Sequence, residues 1–141
     1  MTNEIVVRPY EPQDESAVVE LWETVFPDDP PWNNPPDVIE RKLSVQRELF
    51  LVCLSGGRLV GTVLAGFDGV RGWVHKVAAH PEFQRKGIAS RLMKAAEEGL
   101  ANIGCPKLNV QMRASNRSAV RFYESTGYTI EDRVSMSKRL E

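Results

Sequence analysis

The stretch QRKGIA, residues 84–89, lies between an apolar run at Trp73–Ala79 and an amphipathic run at Ile88–Ile103. The first run predicts a strand and the second a helix, so two cations and a glycine stand at the helix start. Unpaired N–H groups and the helix dipole make cations unfavourable there unless an anion is bound. No Asp or Glu occurs from Phe83 to Ala96, and Gly87 permits close approach of a ligand to the backbone. The pattern favours a phosphate-bearing ligand, with a solvated surface turn as the alternative.

Length and composition predict a single domain, residues 1–141, with one core. Hydrophobic residues make up 42% of the chain and charged residues 26%, as in soluble globular proteins. The net charge of −1 argues against nucleic-acid or anionic-membrane partners, and no apolar run reaches the roughly 20 residues of a membrane span. The N-terminus lacks a signal-peptide pattern, and Cys53 and Cys105 make no disulfide framework. We therefore expect a cytoplasmic protein.

Hydrophobic periodicity and turn residues predict the order β–α–α–β–β–β–α–β–α–β–β. Proline content makes residues 26–36 a stiff loop between the first two helices. The predicted elements are a strand at 5–8, a helix after Asp14, a helix from Asp37 to about Gln46, strands at 49–54, 59–67 and 72–79, a helix from Gly87 to Ile103, a strand at 108–112, a helix from Ser115 or Asn116 to about Ser125, and closing strands at 128–130 and 134–137.

Two motifs carry a family resemblance. The stretch from Gln84 to Ala89 matches the Q/R-x-x-G-x-G/A signature of the GNAT superfamily of acetyl-CoA-dependent N-acetyltransferases. A second family pattern, an Asn followed seven residues later by Tyr-Glu and then by Gly-aromatic, is met by Asn116, Tyr123-Glu124 and Gly127-Tyr128. The chain resembles this superfamily over nearly its whole length. It is most similar to the bacterial YpeA-like branch, with matching segments at Pro31–Asn33, Ile39–Lys42, Asp68–Gly72, His80–Phe83 and Gly104–Lys107.

The resemblance implies an α/β fold, classed as α+β in some schemes. Its sheet is mixed and mostly antiparallel, with six or seven strands, about four helices and a splay between central strands. The implied reaction is acetyl transfer from acetyl-CoA to a primary amine by direct attack in a ternary complex, without a metal. The implied acceptor is a small-molecule or peptide amine, whose identity the sequence leaves open. Homodimers are common in the superfamily, so a homodimer is compatible with it.

Cofactor-binding positions follow from the resemblance residue by residue. Backbone amides of the signature loop and the first helical turn would hold the pyrophosphate of coenzyme A. Edge groups of the preceding strand, at Val77 and Ala79, would pair with the pantetheine arm, and an N–H there would stabilise the oxyanion of the thioester. Asn116 would contact the same arm. The pyrophosphate positions are Arg85, Lys86, Gly87, Ile88, Ala89 and Ser90.

Two residues are candidates for proton transfer. Tyr123 matches the family's proton donor to the leaving thiolate, with a half-buried helix aromatic as the alternative. His75 stands where many members carry a glutamate base, and its ordinary pKa of about 6.5 suits a base near neutrality. Period-2 alternation predicts that it shares a face with Trp73, Val77 and Ala79. A structural role for His75 and a water chain as the base are the alternatives, because Gln111, at another family glutamate position, cannot take a proton.

The proline-rich loop supplies the candidate acceptor residues Trp32 and Asn33, because the family places acceptor-binding elements in this part of the chain. The alternative is a rigid connector in which Trp32 fills the core. Phosphate-loop, dinucleotide-binding and nucleophile-elbow motifs are absent from the sequence. His75 and His80 lack the companions of a zinc site. The rival function is a non-catalytic acyl-CoA-binding module that retains the cofactor cleft.

Overall fold

The computed structural model describes residues 4–141, which divide into a unit that ends at Val110 and a second unit that begins at Gln111. No helix in this described part of the chain is long and apolar enough to cross a membrane. The second unit contains α4 (Arg117–Ser125). The first unit contains, in order, β1 (Ile5–Pro9), α1 (Glu15–Val25), α2 (Pro35–Leu43), β2 (Phe50–Ser55), β3 (Arg58–Phe67), β4 (Gly72–Ala79), α3 (Ile88–Asn102) and β5 (Leu108–Asn109).

The sheet of the first unit has five strands among the described residues, in the order β1-β2-β3-β4-β5. The first four strands are antiparallel neighbours, and β5 runs parallel to β4 after the chain crosses over through α3. The hairpin between β2 and β3 turns at Gly56 and Gly57, whose φ angles of +56° and +85° are those of a primed turn. The predicted hairpin and the predicted fold class, a mixed and mostly antiparallel sheet with helices, are confirmed.

Helices cover both faces of this sheet. On one face, α1 and α2 bury Trp22 and Ile39 against Phe50 of β2, and the Trp22 ring stacks on Phe50 with centroids 6.0 Å apart. Full burial of such a side chain contributes about 1.5–3 kcal/mol. On the other face, α3 approaches β3 closely at Gly61, where a Cβ would lie only 2.6 Å from Ile88 Cγ2. We name these the α1/α2 face and the α3 face.

The second unit is built on α4. Asn116 caps this helix, because its Oδ1 accepts a 3.2 Å hydrogen bond from the Ala119 N–H. The helix ends before Gly127, which has a φ of +102°, and the Tyr128 N–H donates to the Tyr123 carbonyl at 3.0 Å. This is the arrangement of a glycine-terminated helix. The predicted helix, with Asn116 at its start and Gly127 at its end, is confirmed.

The predicted count of six or seven strands is wrong. Residues 128–130 and 134–137, expected to be closing strands, form no strand in the described second unit. Val134 and Met136, in the second of these segments, are 87% and 90% exposed. A segment without a buried face lacks the packing that stabilises a strand and specifies its register.

Two predicted boundaries also differ from the structure. Helix α2 starts at Pro35 rather than Asp37, because Asn34 is its cap and accepts the Asp37 N–H at 3.2 Å. Proline suits a first helical turn, where a missing N–H costs no hydrogen bond. Strand β5 is confined to Leu108–Asn109 and does not continue to Met112, because only these two residues pair with β4.

Candidate active site

The signature loop forms a turn that leads directly into α3. Arg85 and Gly87 both have positive φ angles, +66° and +76°, and Gly87 is the residue that precedes the helix. Among the described residues, no hydrogen bond from a backbone N–H between Arg85 and Ser90 is found, and the first intrahelical bond is Arg91 N–H to the Gly87 carbonyl at 3.0 Å. The loop therefore presents a run of consecutive unpaired donors at a helix N-terminus, the arrangement that binds phosphate groups.

Among the described residues, the space beside Gly87 is open. A Cβ built there would have no atom within 4 Å, so the backbone faces open space. The first turn of α3 contains no acidic residue, and Arg85 and Lys86 are exposed. The structure therefore brings together positive potential, unpaired N–H groups and free space at the position that the sequence pattern predicted.

The segment just before the loop is held by the β2–β3 hairpin. Arg58, at the start of β3, pairs with the Glu82 carboxylate at 3.2 Å and lies over the Phe83 ring, 5.2 Å from its centroid. Lys86 lies over the same ring, with Nζ 5.4 Å from the centroid. Exposed pairs of this kind contribute little stability, but they fix the position of the chain segment that leads into the loop.

A β-bulge interrupts β4 between His75 and Ala78. Leu64 and Thr62 of β3 pair with these two residues, so one residue of β3 stands opposite two residues of β4. Lys76, inside the bulge, has a φ of +52°. Beyond Trp73, no strand of the described residues pairs with the other edge of β4, because β5 pairs only at Gly72 and Trp73. Val77 and Ala79 therefore lie on a stretch of β4 whose edge is open toward β5.

His75 lies on the α1/α2 face together with Trp73. Trp73 pairs with Gly66 of β3, and a Cβ at Gly66 would point toward α2, 3.7 Å from Lys42 Nζ. Residues directly opposite each other in a sheet share a face, and side chains two apart on a regular strand do so too. The predicted shared face of His75 and Trp73 is confirmed.

Ala79 lies on the α3 face, so the prediction that it shares a face with His75 is wrong. Ala79 pairs with Gly61, whose missing Cβ would point at Ile88 of α3. The extra residue of the bulge shifts the alternation of side chains by one position. Strict period 2 fails here for this reason.

A cavity of about 240 Å³ lies beside His75. Although His75 is exposed at the surface, partial desolvation of its ring, followed by the charges of Lys42 and Lys76, lowers the pKa of His75 below its ordinary value. The imidazole is therefore neutral at pH 7 and able to accept a proton. The cavity is lined by Lys42, Val45, Gln46, Leu64, Ala65, Gly66, Phe67, Asp68, Trp73 and His75.

Trp32 and Asn33 belong to a helical turn at Pro31–Asn33 in the loop between α1 and α2. Trp32 is 43% exposed, which contradicts the alternative in which it fills the core. The same loop reaches the bulge, because Asp29 pairs with the Lys76 ammonium group, which also lies 4.6 Å from the centroid of the Phe26 ring. The acceptor residues proposed from the sequence thus lie on a loop that contacts β4.

In the second unit, Tyr123 lies on α4 and Asn116 is the residue just before it. Tyr123 is buried, and its ring makes edge-to-face contacts with Phe122 and Tyr128 at centroid distances of 5.0 and 5.4 Å. Burial raises the pKa of the Tyr123 phenol, so the hydroxyl retains its proton at neutral pH. Gln111, which stands where a glutamate base was considered, donates to Ser135 Oγ at 2.9 Å.

Sequence reasoning missed three residues around β4. Thr62 and Lys76 hold the bulge, and Lys42 reaches the cavity from α2. A buried threonine in the apolar strand β3 was the available signal for Thr62, since a buried hydroxyl needs a partner. No local pattern marks Lys42 or Lys76, because their partners are distant in sequence.

The model of the acetyltransferase (GNAT) family matches residues 15–128 of this chain. The chain belongs to the GNAT family. A relative from Yersinia enterocolitica, named an acetyltransferase, is 39% identical over 136 residues, which cover 95% of this chain and 94% of that protein. The family membership predicted from the two motifs is confirmed.

Solved structures share the GNAT fold with this chain. Ard1 from Thermoplasma volcanium matches with a TM-score of 0.79 at 22% identity, over 90% of this chain and 84% of that one. The aminoglycoside N-acetyltransferase AAC(6′)-Iy, in complex with CoA, matches with a TM-score of 0.82 at 16% identity, over 99% of this chain and 97% of that chain. At these identities the likeness concerns the fold.

Proposed function

We propose that this GNAT protein transfers an acetyl group from acetyl-CoA to a primary amine within a ternary complex. The observation that carries the proposal is the run of unpaired backbone donors from Arg85 to Ser90 at the open N-terminus of α3. A diphosphate satisfies several such donors at once and also gains from the helix dipole. CoA in the AAC(6′)-Iy structure supports coenzyme A as the ligand of this fold.

The open edge of β4 would receive the pantetheine arm. Its amides and carbonyls around Val77 and Ala79 face no partner strand in the described structure, so the arm can pair with them like an added strand. The bulge turns the backbone at Lys76 and Val77 away from the regular ladder. A fixed N–H at this bulge would stabilise the oxyanion that forms on the thioester carbonyl. Asn116, whose Oδ1 caps α4, would offer its amide group to the arm.

Direct transfer requires one proton to leave the amine and one to reach the thiolate. The amine nitrogen bonds to the carbonyl carbon and the carbon–sulfur bond breaks. His75, neutral at pH 7, would take the proton of the amine, and Tyr123, protonated at pH 7, would supply a proton to the departing thiolate. Trp32 and Asn33 would contribute to the acceptor site from the loop that contacts β4.

Three measurements with the purified protein test the proposal. Calorimetry with coenzyme A should give a saturable 1:1 isotherm, and hydrogen exchange should show protection of residues 85–90. Incubation with acetyl-CoA and a panel of amines and peptides should release free thiol above the hydrolysis background. Tight binding of coenzyme A with no thiol release across the panel would instead favour the non-catalytic acyl-CoA-binding module.

A further inference from the structure

The cavity beside His75 is largely open to solvent and has mostly apolar walls. Its volume of about 240 Å³ is below the roughly 300–1,000 Å³ of pockets that bind drug-sized ligands. Trp73, Leu64 and Val45 supply apolar surface. The pocket therefore suits a ligand with an apolar body.

Lys42 gives this pocket a positive charge. Its Nζ donates to the Ala65 carbonyl, and an ammonium group has three N–H donors in total. Burial lowers the pKa of Lys42, although the charge of Glu48 acts in the opposite direction. An anion bound in the cavity would offset this cost of burial, because it favours the charged form of the lysine.

Space for such an anion exists because position 66 is a glycine. A Cβ at Gly66 would lie 3.7 Å from Lys42 Nζ and 3.4 Å from Gln46 Oε1, so a side chain there would occupy the approach to the ammonium group. Asp68, the acid in the cavity wall, is engaged by its own turn, where Oδ1 accepts the N–H groups of Val70 and Arg71 at 2.8 Å each.

We propose that this pocket selects small amines that carry a carboxylate and an apolar body, with the carboxylate paired to Lys42 and the amine beside His75. The inference rests on the proposed acetyl transfer and specifies the class of its acceptor: free amino acids and similar amino-carboxylates. Polycationic amines are disfavoured, because Lys42 places a positive charge in the wall of the pocket.

Calorimetry on the protein saturated with coenzyme A tests the pocket without requiring turnover. The titrants are phenylalanine, phenylalaninamide, phenethylamine and spermidine. We expect phenylalanine to bind at least about tenfold more tightly than the other three. Lys42→Met should abolish this preference, and Gly66→Ala, which keeps the charge, should weaken phenylalanine binding. Lys94→Met, the same change at an exposed position of α3, should leave the preference intact.

Each other outcome overturns the inference. It would be contradicted by equal affinity for phenylalanine and phenethylamine or by tighter binding of spermidine. It would also be contradicted by a carboxylate preference that survives in Lys42→Met, or by the absence of heat with every titrant. The proposed transfer fails separately, if phenylalanine shows the expected preference but no amine releases thiol from acetyl-CoA. Thiol release that is equally fast with phenethylamine and phenylalanine would contradict the pocket and leave the transfer in place.

Discussion

The Thr62 hydroxyl donates a 2.9 Å hydrogen bond to the backbone carbonyl of Lys76, the residue with positive φ in the β4 bulge. The same oxygen accepts a 2.8 Å hydrogen bond from Trp22 Nε1. Thr62 and Trp22 are fully buried, so α1, β3 and the bulge are joined by one polar chain inside an apolar core. Buried polar groups of this kind are costly when they lose a partner, and this relay therefore holds the bulge in one conformation.

Thr62→Val should disrupt the bulge. The substitution preserves the β-branched shape but leaves Trp22 Nε1 and the Lys76 carbonyl without their buried partner, which costs about 1–3 kcal/mol of unfolding free energy. Turnover should fall at saturating acetyl-CoA, because the proposed oxyanion donor lies in the bulge. Urea denaturation and kcat measure the two effects. Thr62→Ser, which keeps the hydroxyl, is the control; equal kcat in Thr62→Val and the native protein would separate the relay from catalysis.

Gly87→Glu should abolish binding of coenzyme A. The side chain would enter the space over the loop donors and place a carboxylate where the pyrophosphate is proposed to bind, so we expect a loss of at least about 100-fold in affinity. Gly69→Glu is a matched control, because Gly69 also has a positive φ, +97°, with nothing within 4 Å of a built Cβ. Calorimetry with coenzyme A compares the two variants. Unchanged affinity in Gly87→Glu would refute the assignment of this loop.

Tyr123→Phe should lower kcat by about 10²-fold or somewhat less, because the leaving thiolate loses its proton donor. The dissociation constant of coenzyme A should hardly change, since the ring and its aromatic contacts remain. Tyr10→Phe removes a hydroxyl from another buried tyrosine, which stacks on Phe50, and should leave kcat near the native value. A native kcat in Tyr123→Phe would exclude this residue from the chemistry.

The pH dependence of kcat/KM should report the imidazole of His75. Because the pKa of His75 is lowered by desolvation and by Lys42 and Lys76, the neutral base predominates at pH 7. Activity should therefore rise with pH through a midpoint below the ordinary value of about 6.5 and then level off. His75→Gln should lose this acidic limb, and Lys42→Met should move it to higher pH, because one of the cations is removed.

The control for this profile is His80→Gln, which removes the histidine of the loop before α3 and should retain the limb. A limb unchanged in His75→Gln would assign the titration to another group, and a water chain would then be the better candidate for the base. Rate measurements from pH 5 to pH 8 at saturating acetyl-CoA, with the acceptor varied, distinguish these outcomes.

Much of the fold was predictable because its signals are local. The hairpin at Gly56 and Gly57, the start of α3 after Gly87 and the cap of α4 at Asn116 each depend on residues within one or two turns of one another. The closing strands after Tyr128 were not predictable in the same way. Apolar residues at alternate positions favour a strand only when a partner edge and a buried face are also present.

In the candidate site, too, the features with local sequence signals were predictable and those that depend on tertiary contacts were not. The sequence by itself determined the donor loop at Arg85–Ser90 and the family, because a glycine and an acid-free helix start are properties of contiguous residues. Only the tertiary structure decided that a bulge at Lys76 separates the faces of His75 and Ala79, and that Lys42 from α2 shares a cavity with His75. Strand register and helix packing create these relationships, and they join residues whose separation along the chain leaves no periodic trace.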